Sequence, residues 1–530
     1  MRRDVASFGT AQQVTSAQIQ ARNERNMTLQ KMRLAIVGAG PAGIYAADLM
    51  IKADRDFDVE IDLFDQLPAP YGLVRYGVSP DHPRIKGVIT ALREVLDRTD
   101  RGGDALQGDA AGAAGDAGAA GATGAAGSGD AAGDLAARAP RGSVHYHGNV
   151  RFGEHISLED LKRHYHAVIF ATGAIRDASL DIPGIDAEAS YGAADFVSWF
   201  DGHPDVPREW PLDAKQVAVI GNGNVALDVS RMLIKHAEDL LTTEIAENVH
   251  RVLAQNPIEE LHLFGRRGPQ YVKFTPLELR ELGEVRDVDV VVDERDFDLD
   301  DPYVTETLMK NKQVIVLTRI MNQWREAQKS RDAGETVPAS RRLHLHFWSK
   351  PVEVFQDAAG RVSGIKIERT APDGVGGVVD TGEFEIVPVQ SLYRAIGYFG
   401  SPLEEIPFDE KRGVIPNEQG RVIGADGSPE PGMYATGWIK RGPIGLIGHT
   451  KSDAMETIEC LLEDRASWWQ PEAPEAAAVV ELLKSRGVPY TTIEGWHRLD
   501  AHELSLGAEQ GRERIKVVSR EEMTLVSLAE

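Results

Sequence analysis

Two glycine-rich loops, each placed directly after a short aliphatic run, constrain this chain more than any other feature. The first loop, GAGPAG at 38–43, follows LAIV, and the next apolar run, EIDLF, ends at Asp65. This order predicts a dinucleotide site, because amides at a helix N-terminus face a pyrophosphate and the carboxylate accepts ribose hydroxyls. A glycine turn with a purely structural role is the alternative. The residues expected to contact this first dinucleotide are Gly38, Gly40, Pro41, Ala42, Gly43 and Asp65.

The second loop, GNGNVA at 221–226, follows VAVI and differs from the first in what comes after it. The next apolar run, LHLF, ends not in an acid but in a turn that contains Arg266 and Arg267. Guanidinium groups give paired hydrogen bonds to phosphate oxygens, so the position favours the 2′-phosphate of NADP over the hydroxyl of NAD. Solvated arginines without a ligand are the alternative.

Strand-like runs and helical periods alternate around both loops. Buried parallel strands are expected at 34–37, 60–64, 168–170, 217–220 and 261–264, and helices at 41–50 and 225–235. The alternation predicts an α/β chain with two Rossmann-like three-layer nucleotide-binding domains. Two loops of different preference imply FAD, held tightly, and NADP(H), which exchanges, with the active site in the cleft between the domains.

Charge and cysteine content exclude several classes of function. The formal charge of −24 repels phosphates over most of the surface, so neither nucleic acid nor a membrane is expected as a partner. The apolar stretch at 34–51 contains glycines, a proline and Asp48, and we interpret it as no membrane span. The single cysteine, Cys460, excludes a CxxC redox pair and an iron–sulfur cluster held by thiolates of this chain.

Two segments depart from globular composition. Residues 1–31 resemble an organellar presequence as well as a frayed tail, and we interpret them as a flexible leader. The expected compartment is therefore the cytoplasm, or the mitochondrial matrix if the leader is a presequence. Between 102 and 134, Ala, Gly and Asp fill 29 of 33 positions, which predicts a disordered insertion because so little apolar surface cannot offset the entropy of ordering.

Longer motifs carry a family resemblance. AIVGAGPAGIYAA, YGLVRYGVSPDHPRIKGV, GRRGPQYVKFTPLELREL and GWIKRGPIGLIGHTKSDAMETI resemble, in order, the landmarks of ferredoxin–NADP reductases of the adrenodoxin-reductase type. The resemblance implies an FAD domain that is discontinuous in sequence. The expected parts are the leader at 1–31, the FAD domain at 32–212, the NADP domain at 213–394, and the rest of the FAD domain with a C-terminal extension at 395–530.

The resemblance also implies roles for single residues. For FAD it adds Leu73, Val74, Trp438, Gly445, Leu446 and Ile447 to the first loop. For NADP(H) it implies Asn222, Gly223, Asn224, Val225, Arg266, Arg267, Glu278 and Gly445. His82 and Glu281 match residues that manage protons or polarity beside the flavin. Without the family, His82 is equally a packing histidine in a turn between prolines, and Glu278 with Glu281 a solvated pair on one helix.

Two positions depart from the family pattern. Asp65 stands where Glu is common and is one methylene shorter, so its ribose contact is expected to be direct or through water. Ile444 stands where Thr is usual, which puts a hydroxyl role there in doubt. Trp438, followed by Lys440 and Arg441, is expected to lie beside the flavin, where cations would stabilise negative charge on the reduced ring.

Three pairs of histidines spaced by two residues raise the question of a metal site. The pairs are His145/His147, His164/His166 and His344/His346. Members of such a pair share one side of a strand, but none has a third ligand nearby in the sequence at zinc-like spacing. The sequence therefore predicts no bound metal.

These features together predict an NADPH-dependent reductase with FAD that serves a ferredoxin-type iron–sulfur protein, reversibly. The alternatives are an NADPH diaphorase, a flavoprotein subunit of a larger iron–sulfur enzyme, or a nucleotide sensor without turnover. An acidic carrier would need a basic dock, for which the cationic span 310–331 is a candidate, although a solvated face is the simpler interpretation. The oligomeric state is left open, with a monomer plausible.

Overall fold

The computed structural model describes residues 31–82, 87–100, 142–297, 301–443 and 447–529. The insertion at 102–134, predicted to be disordered, and the leader predicted to be flexible, except for Lys31, lie outside these residues. Residues 444–446 lie outside them as well, and with them the predicted contacts of Gly445 and Leu446.

Strands and helices alternate over most of the described chain. The strands are β1 (Lys31–Val37), β2 (Asp58–Phe64), β3 (Gly142–His147), β4 (Ala167–Phe170), β5 (Arg176–Asp177), β6 (Ser190–Gly192), β7 (Gln216–Ile220), β8 (Glu260–Phe264), β9 (Val288–Val292), β10 (Arg341–His346), β11 (Ser349–Gln356), β12 (Val362–Pro372), β13 (Val378–Val387), β14 (Ser391–Arg394), β15 (Tyr398–Phe399), β16 (Asn417–Glu418), β17 (Arg421–Ile423) and β18 (Pro429–Ala435).

The helices follow the same order along the chain. They are α1 (Pro41–Lys52), α2 (Leu73–Tyr76), α3 (Val88–Asp100), α4 (Leu158–His164), α5 (Ala193–Phe200), α6 (Asn224–Ile234), α7 (Glu247–Leu253), α8 (Pro276–Gly283), α9 (Pro302–Glu306), α10 (Lys312–Asp332), α11 (Trp438–Arg441), α12 (Ile447–Glu463), α13 (Ala476–Ser485), α14 (Ile493–Glu509) and α15 (Arg520–Leu528).

The first unit is built on a sheet of order β16-β17-β18-β4-β1-β2-β3. The strands from β18 to β3 pair in parallel, and β16 and β17 extend the β18 edge antiparallel. Both faces of the strands are buried, which is why their sequences are continuously apolar. One face packs on α1, with Leu34 and Ile44 in a single core, and the other packs on α4 and α13, with Phe170 and Leu483 in another.

The second unit is built on a sheet of order β6-β14-β7-β8-β10-β9, whose strands all pair in parallel. One face packs on helices, with Val219, Leu263 and Leu279 of α8 in one core. The other face is covered by the antiparallel sheet β11-β12-β13, where Ile365 packs with Phe264. The second unit therefore has three layers, as predicted, but one outer layer is made of strands instead of helices.

The sequence predictions for the two loops and their strands are confirmed to within three residues at each end. The chain also returns to the first sheet after β14, since β18 pairs with β4, which confirms a discontinuous first domain. The boundary at 212/213 stays a prediction, but β6 and α5 already belong to the second unit. Among the described residues, no helix is long and apolar enough to cross a membrane.

Candidate functional site

The first glycine loop has the shape of a cradle between β1 and α1. Gly38 lies at φ +113°, and a Cβ there would come within 2.4 Å of the Ala171 carbonyl oxygen. A Cβ on Gly43 would meet the Gly38 carbonyl oxygen at 2.0 Å, so both positions require glycine. Gly40 caps α1 with no side-chain hydrogen bond, and its nearest neighbour on the Cβ side is Gly72, 3.8 Å away. The loop therefore leaves backbone amides and open space at a helix N-terminus, which fits a pyrophosphate.

Asp65 lies where β2 ends, and its two oxygens are already engaged. Oδ2 accepts a hydrogen bond from the Ala39 N–H at 2.7 Å, and Oδ1 accepts one from the Leu67 N–H at 2.9 Å. Burial raises the pKa of Asp65 to about 6, against the opposing effect of these two amides. The carboxylate thus holds the glycine loop in place, and its contact with a ribose stays a prediction.

The remaining residues predicted for FAD lie around the same loop. The Tyr71 N–H donates to the Ala39 carbonyl oxygen at 2.8 Å, which brings α2, with Leu73 and Val74, against the loop. A Cβ on Gly437, the residue before Trp438, would meet the Ala42 side chain at 2.6 Å. Ile447 begins α12, and its side chain lies outside the description.

Lys440 and Arg441, which were expected to stabilise negative charge on the reduced flavin, both form ion pairs. The Lys440 ammonium is buried and lies 2.6 Å from Glu456 and 3.3 Å from Asp453. Arg441 lies 3.1 Å from the same Asp453. These pairs with carboxylates of α12 fix the Trp438 turn onto that helix, and an effect of the two cations on the flavin stays a prediction.

The second glycine loop is open at the N-terminus of α6. A Cβ on Gly221 would meet the Ala395 carbonyl oxygen at 2.2 Å, whereas a Cβ on Gly223 would meet no atom within 4 Å. Gly223 caps α6 without a side-chain hydrogen bond. The Asn222 carbonyl oxygen accepts from the Lys273 N–H, and the Asn224 Oδ1 accepts from the Thr275 N–H. These contacts tie the loop to α8 and leave its amides facing open space, which fits a second dinucleotide.

Arg266 and Arg267 follow β8 at the edge of this loop. Neither makes an ion pair with any described residue. Arg266 is exposed, and the buried Nε of Arg267 has no hydrogen-bond partner among the described residues. The Arg267 guanidinium lies 5.8 Å from the centre of the Tyr271 ring. Asp373 acts on Arg267 electrostatically without forming an ion pair. Two guanidinium groups outside any ion pair, one of them with an unused donor, fit a phosphate monoester.

A small cluster between the units brings the two predicted sites together. Ala174, Ala194 and Tyr398 form an apolar group against which both Trp438 and Val225 pack. Trp438 was predicted for FAD, and Val225 is the second residue of α6, the helix that follows the second loop. The two loops therefore open toward a shared region.

His82 is the centre of a charged network between the units. Its Nε2 lies 2.9 Å from Asp228 Oδ1, 2.7 Å from Glu278 Oε2 and 2.6 Å from Nη2 of Arg231, and its Nδ1 lies 2.8 Å from Glu281 Oε2. Glu278 and Glu281 belong to α8, whose N-cap Thr275 accepts from the Glu278 N–H. His82 is therefore held by the second unit and is not a packing histidine in a turn.

The electrostatics of the network favour a protonated His82. Burial alone would lower its pKa, but Asp228 and Glu278 raise the pKa of His82 to about 9, although Arg231 opposes them. Burial raises the pKa of Glu281, whose side chain is 28% exposed against 4% for Glu278. At neutral pH the ring is thus a cation, and Glu281 is its partner that reaches solvent.

Sequence reasoning missed the residues that support His82. Arg231, which is 1% exposed, donates from Nε to Asp81 at 2.8 Å and from Nη2 to Asp228 at 2.8 Å. Asp81 is the neighbour of His82, so the pair Asp81–Arg231 joins the units as well. Burial would raise the pKa of Asp81, but Arg231 and Lys235 hold it well below its usual range. The sequence did contain an indication of this network, because Asp228 and Arg231 are charged residues one turn apart in an otherwise mostly apolar helix.

Comparison with known proteins places these features in a family. A family model described as pyridine nucleotide-disulphide oxidoreductase matches residues 32–262. The chain is 33% identical over 505 residues to the mitochondrial NADPH:adrenodoxin oxidoreductase of Arabidopsis thaliana, covering 93% of this chain and 94% of the relative. It is 34% identical over 509 residues to the NADPH-ferredoxin reductase FprA of Mycobacterium tuberculosis, covering 93% and 99%.

Solved structures agree with the sequence relatives. The structure of Mycobacterium tuberculosis FprA in complex with NADPH matches with a TM-score of 0.76 at 33% identity, over 94% of this chain and 100% of that one. The similarity spans both units, the two glycine loops and the C-terminal helices. The chain belongs to the family of NADPH–ferredoxin reductases of the adrenodoxin-reductase type.

Proposed function

We propose that this protein is an FAD-containing reductase that takes a hydride from NADPH and passes single electrons to a ferredoxin-type iron–sulfur protein. The observation that carries the proposal is the convergence of two open glycine loops on one region, with Trp438 and Val225 on a common cluster. Bound FAD accepts a hydride and can release electrons one at a time, which couples a two-electron donor to a one-electron acceptor.

The chain's own residues bind and orient both cofactors in this proposal. The first loop, with Leu73, Val74 and Trp438, holds FAD, and Asp65 supports the loop through the Ala39 amide. The second loop holds the pyrophosphate of NADPH, and Arg266 with Arg267 binds the 2′-phosphate. A reductase of this kind needs no protein nucleophile, because placement and electrostatics are what the protein supplies.

His82 and Glu281 control protons beside the reacting region. His82 lies between carboxylates of two helices, and Asp228 and Glu278 raise its pKa against the effect of burial, which favours the protonated ring. Glu281 connects the ring to solvent because its side chain is more exposed than that of Glu278. The arrangement gives a path for a proton from His82 through Glu281 to water, and Glu278 keeps the opposite side of the ring in place.

The partner docks, in this proposal, on the second unit near the start of α10. Lys310, Lys312 and Arg319 are exposed and make no ion pair with described residues. Farther along α10, Arg325 and Lys329 are paired with Glu294. The basic residues available to an acidic carrier are therefore concentrated at the N-terminal half of the span 310–331.

A steady-state assay tests the function. Purified yellow protein should reduce a [2Fe–2S] ferredoxin with NADPH, measured as bleaching of the ferredoxin spectrum, and should reduce a small dye without the ferredoxin. Reduction of the dye with no transfer to any ferredoxin would favour a diaphorase or a subunit of a larger enzyme. No turnover with either acceptor would favour a nucleotide sensor.

Compartment and oligomeric state are part of the proposal. The cytoplasm is expected, or the mitochondrial matrix if residues 1–31 act as a presequence, and the oligomeric state is open between a monomer and a larger assembly. Fractionation of cells and light scattering of the purified protein test these two points.

A further inference from the structure

Three histidines that are not part of the His82 network meet on one face of the second sheet. His262 lies on β8, and His344 lies beside it in the register of the neighbouring strand β10. His346 is two residues further along β10, on the same face. The alternate residues of both strands, such as Leu263 and Leu345, point to the helical face and belong to its core.

The ring nitrogens of these residues converge. Nδ1 of His262 lies 2.9 Å from Nε2 of His346, and one nitrogen from each of the three rings lies within 4.8 Å of the others. The rings are stacked, with centroids 4.6 Å apart between His262 and His344. A carboxylate completes the group, since Glu260 Oε2 lies 3.1 Å from Nε2 of His344 and 3.9 Å from Nε2 of His262.

The surroundings leave the cluster within reach of solvent at one side. His262 is buried, whereas His344 and His346 are partly exposed. The side chains of His344 and Glu260 are 19% and 24% exposed, so an ion can enter from the edge of the face.

Packing alone does not require imidazoles at these positions. Elsewhere this face of the sheet carries the apolar residues Ala218, Ile220, Phe264 and Leu392 under the antiparallel sheet. Three polar rings therefore occupy positions on a face that elsewhere carries apolar side chains. A set of imidazole nitrogens with one carboxylate oxygen is the ligand set of zinc and related divalent ions.

We propose that His262, His344 and His346, with Glu260, bind a divalent transition-metal ion of the zinc type. The ion would join β8 to β10. Those two strand ends also support the Arg266 turn, because the Gly265 N–H donates to the His346 carbonyl oxygen at 2.8 Å. The sequence prediction of no metal failed to find a third ligand because His262 precedes His346 by 84 residues and meets it only through strand pairing.

Metal binding to the full-length, FAD-loaded protein tests the proposal directly. The tag must lack histidine, and the protein is first treated with a chelator and desalted. Titration calorimetry with ZnCl₂ should give one ion per chain, and Co²⁺ should produce visible absorption bands typical of nitrogen ligands. Zinc should also raise the melting temperature, because a ligand that binds only the folded state stabilises it.

Variants separate this site from other histidines. H344Q and E260Q should each weaken zinc affinity by about tenfold or more. H145Q, an exposed histidine on the other sheet, and H82Q should keep the stoichiometry and affinity of the unmodified chain. FAD content and dye reduction report that H344Q and E260Q are folded; H262Q is a third variant if its buried position tolerates the change.

Two results would overturn the proposal. One is the absence of stoichiometric zinc binding by the unmodified chain. The other is binding that survives H344Q and E260Q or disappears in H82Q, which would move the ion to the carboxylates around His82 or to scattered surface groups.

Discussion

In the proposal, nucleotide preference depends on Arg266 and Arg267, neither of which forms an ion pair with a described carboxylate, although Asp373 acts on Arg267 electrostatically. The sequence predicted them from their place after β8, where the first unit has Asp65. The structure adds the unused Nε of Arg267. Such a donor is costly to bury unless a ligand satisfies it.

Replacing both arginines by alanine should weaken the binding of NADPH much more than the binding of NADH. Loss of charge-assisted hydrogen bonds to the phosphate should raise the KM for NADPH about 10- to 100-fold, while kinetics with NADH change little. Steady-state dye reduction with each nucleotide measures the ratio. R412A, at an exposed arginine of the first unit, is the matched control. An unchanged NADPH/NADH ratio would disprove the phosphate assignment.

His82 offers a prediction about pH. Its pKa in the folded protein is about 9, above the unfolded value near 6.5, so its protonation stabilises the folded state fully below pH ~6.5 and loses this effect as pH rises through ~9. H82Q should therefore lower the free energy of unfolding by about 1–3 kcal/mol at pH 6 and by less above pH 9.5. Urea unfolding at both pH values measures this. A difference between the two proteins that grows with pH would contradict the assignment.

At the scale of elements, the positions within each glycine loop differ in what a methyl group would meet. A Cβ on Gly43 would collide with the Gly38 carbonyl oxygen and separate α1 from β1, and a Cβ on Gly221 would collide with the Ala395 carbonyl oxygen. A Cβ on Gly223, in contrast, projects into open space, so packing does not explain the glycine there.

Matched alanine substitutions test this difference. G43A should yield protein with little bound FAD and lower stability. G223A should keep FAD and fold normally but bind NADPH more weakly, since the methyl group occupies space expected for the pyrophosphate. FAD per chain from the absorption spectrum and NADPH affinity from titration report the two outcomes. Normal FAD content in G43A would contradict the assignment of the first loop to FAD. Unchanged NADPH affinity in G223A would contradict the assignment of the second loop to NADPH.

The start of α10 is the element proposed for docking. Reversing Lys310 and Lys312 to Glu should slow ferredoxin reduction at low salt, because long-range attraction sets the association rate, and should spare dye reduction. The difference in the rate of ferredoxin reduction should become smaller as the salt concentration increases. The double reversal of Lys411 and Arg412, exposed cations of the first unit, is the control with the same charge change. The docking proposal would be refuted if the Lys310/Lys312 variant lost dye reduction and ferredoxin reduction to the same extent. It would also be refuted if the control variant lost as much ferredoxin reduction as the Lys310/Lys312 variant.

The sequence predicted the elements whose apolar runs end at glycines or at a distinctive pair of residues. β1, α1, β7 and α6 follow from apolar runs bounded by glycine, and the β8 turn from its two arginines. The network of Asp81, His82 and Arg231 could not be predicted, because the distance of about 150 residues along the chain is closed only when the units pack together. The covering sheet β11–β13 was missed for a related reason: much of β13 is exposed and lacks a buried period.

At the scale of the whole molecule, the C-terminal segment holds the two units together. The Lys516 ammonium donates to the carbonyl oxygens of Arg75 and Asp201, and Arg520 pairs with Asp205. With the pairs around His82, these contacts give the units a common interface. The position of the reacting region therefore depends on residues far from either loop.

Net charge also acts at this scale. The chain carries −24 overall, yet NADPH and an acidic carrier are anions that need positive sites. In the proposal, the cations at the Arg266 turn and at the start of α10 meet this need. Lys440 and Arg441, which the sequence also favoured, are paired with Asp453 and Glu456.

Anaerobic titration with NADPH tests the central claim most directly, because it requires bound FAD, a working NADPH site and hydride transfer between them. The purified protein should be yellow, should lose its flavin absorption near one NADPH per chain, and should regain it when oxidised ferredoxin is added. A colourless protein, or a yellow protein whose spectrum NADPH does not bleach, would contradict the account.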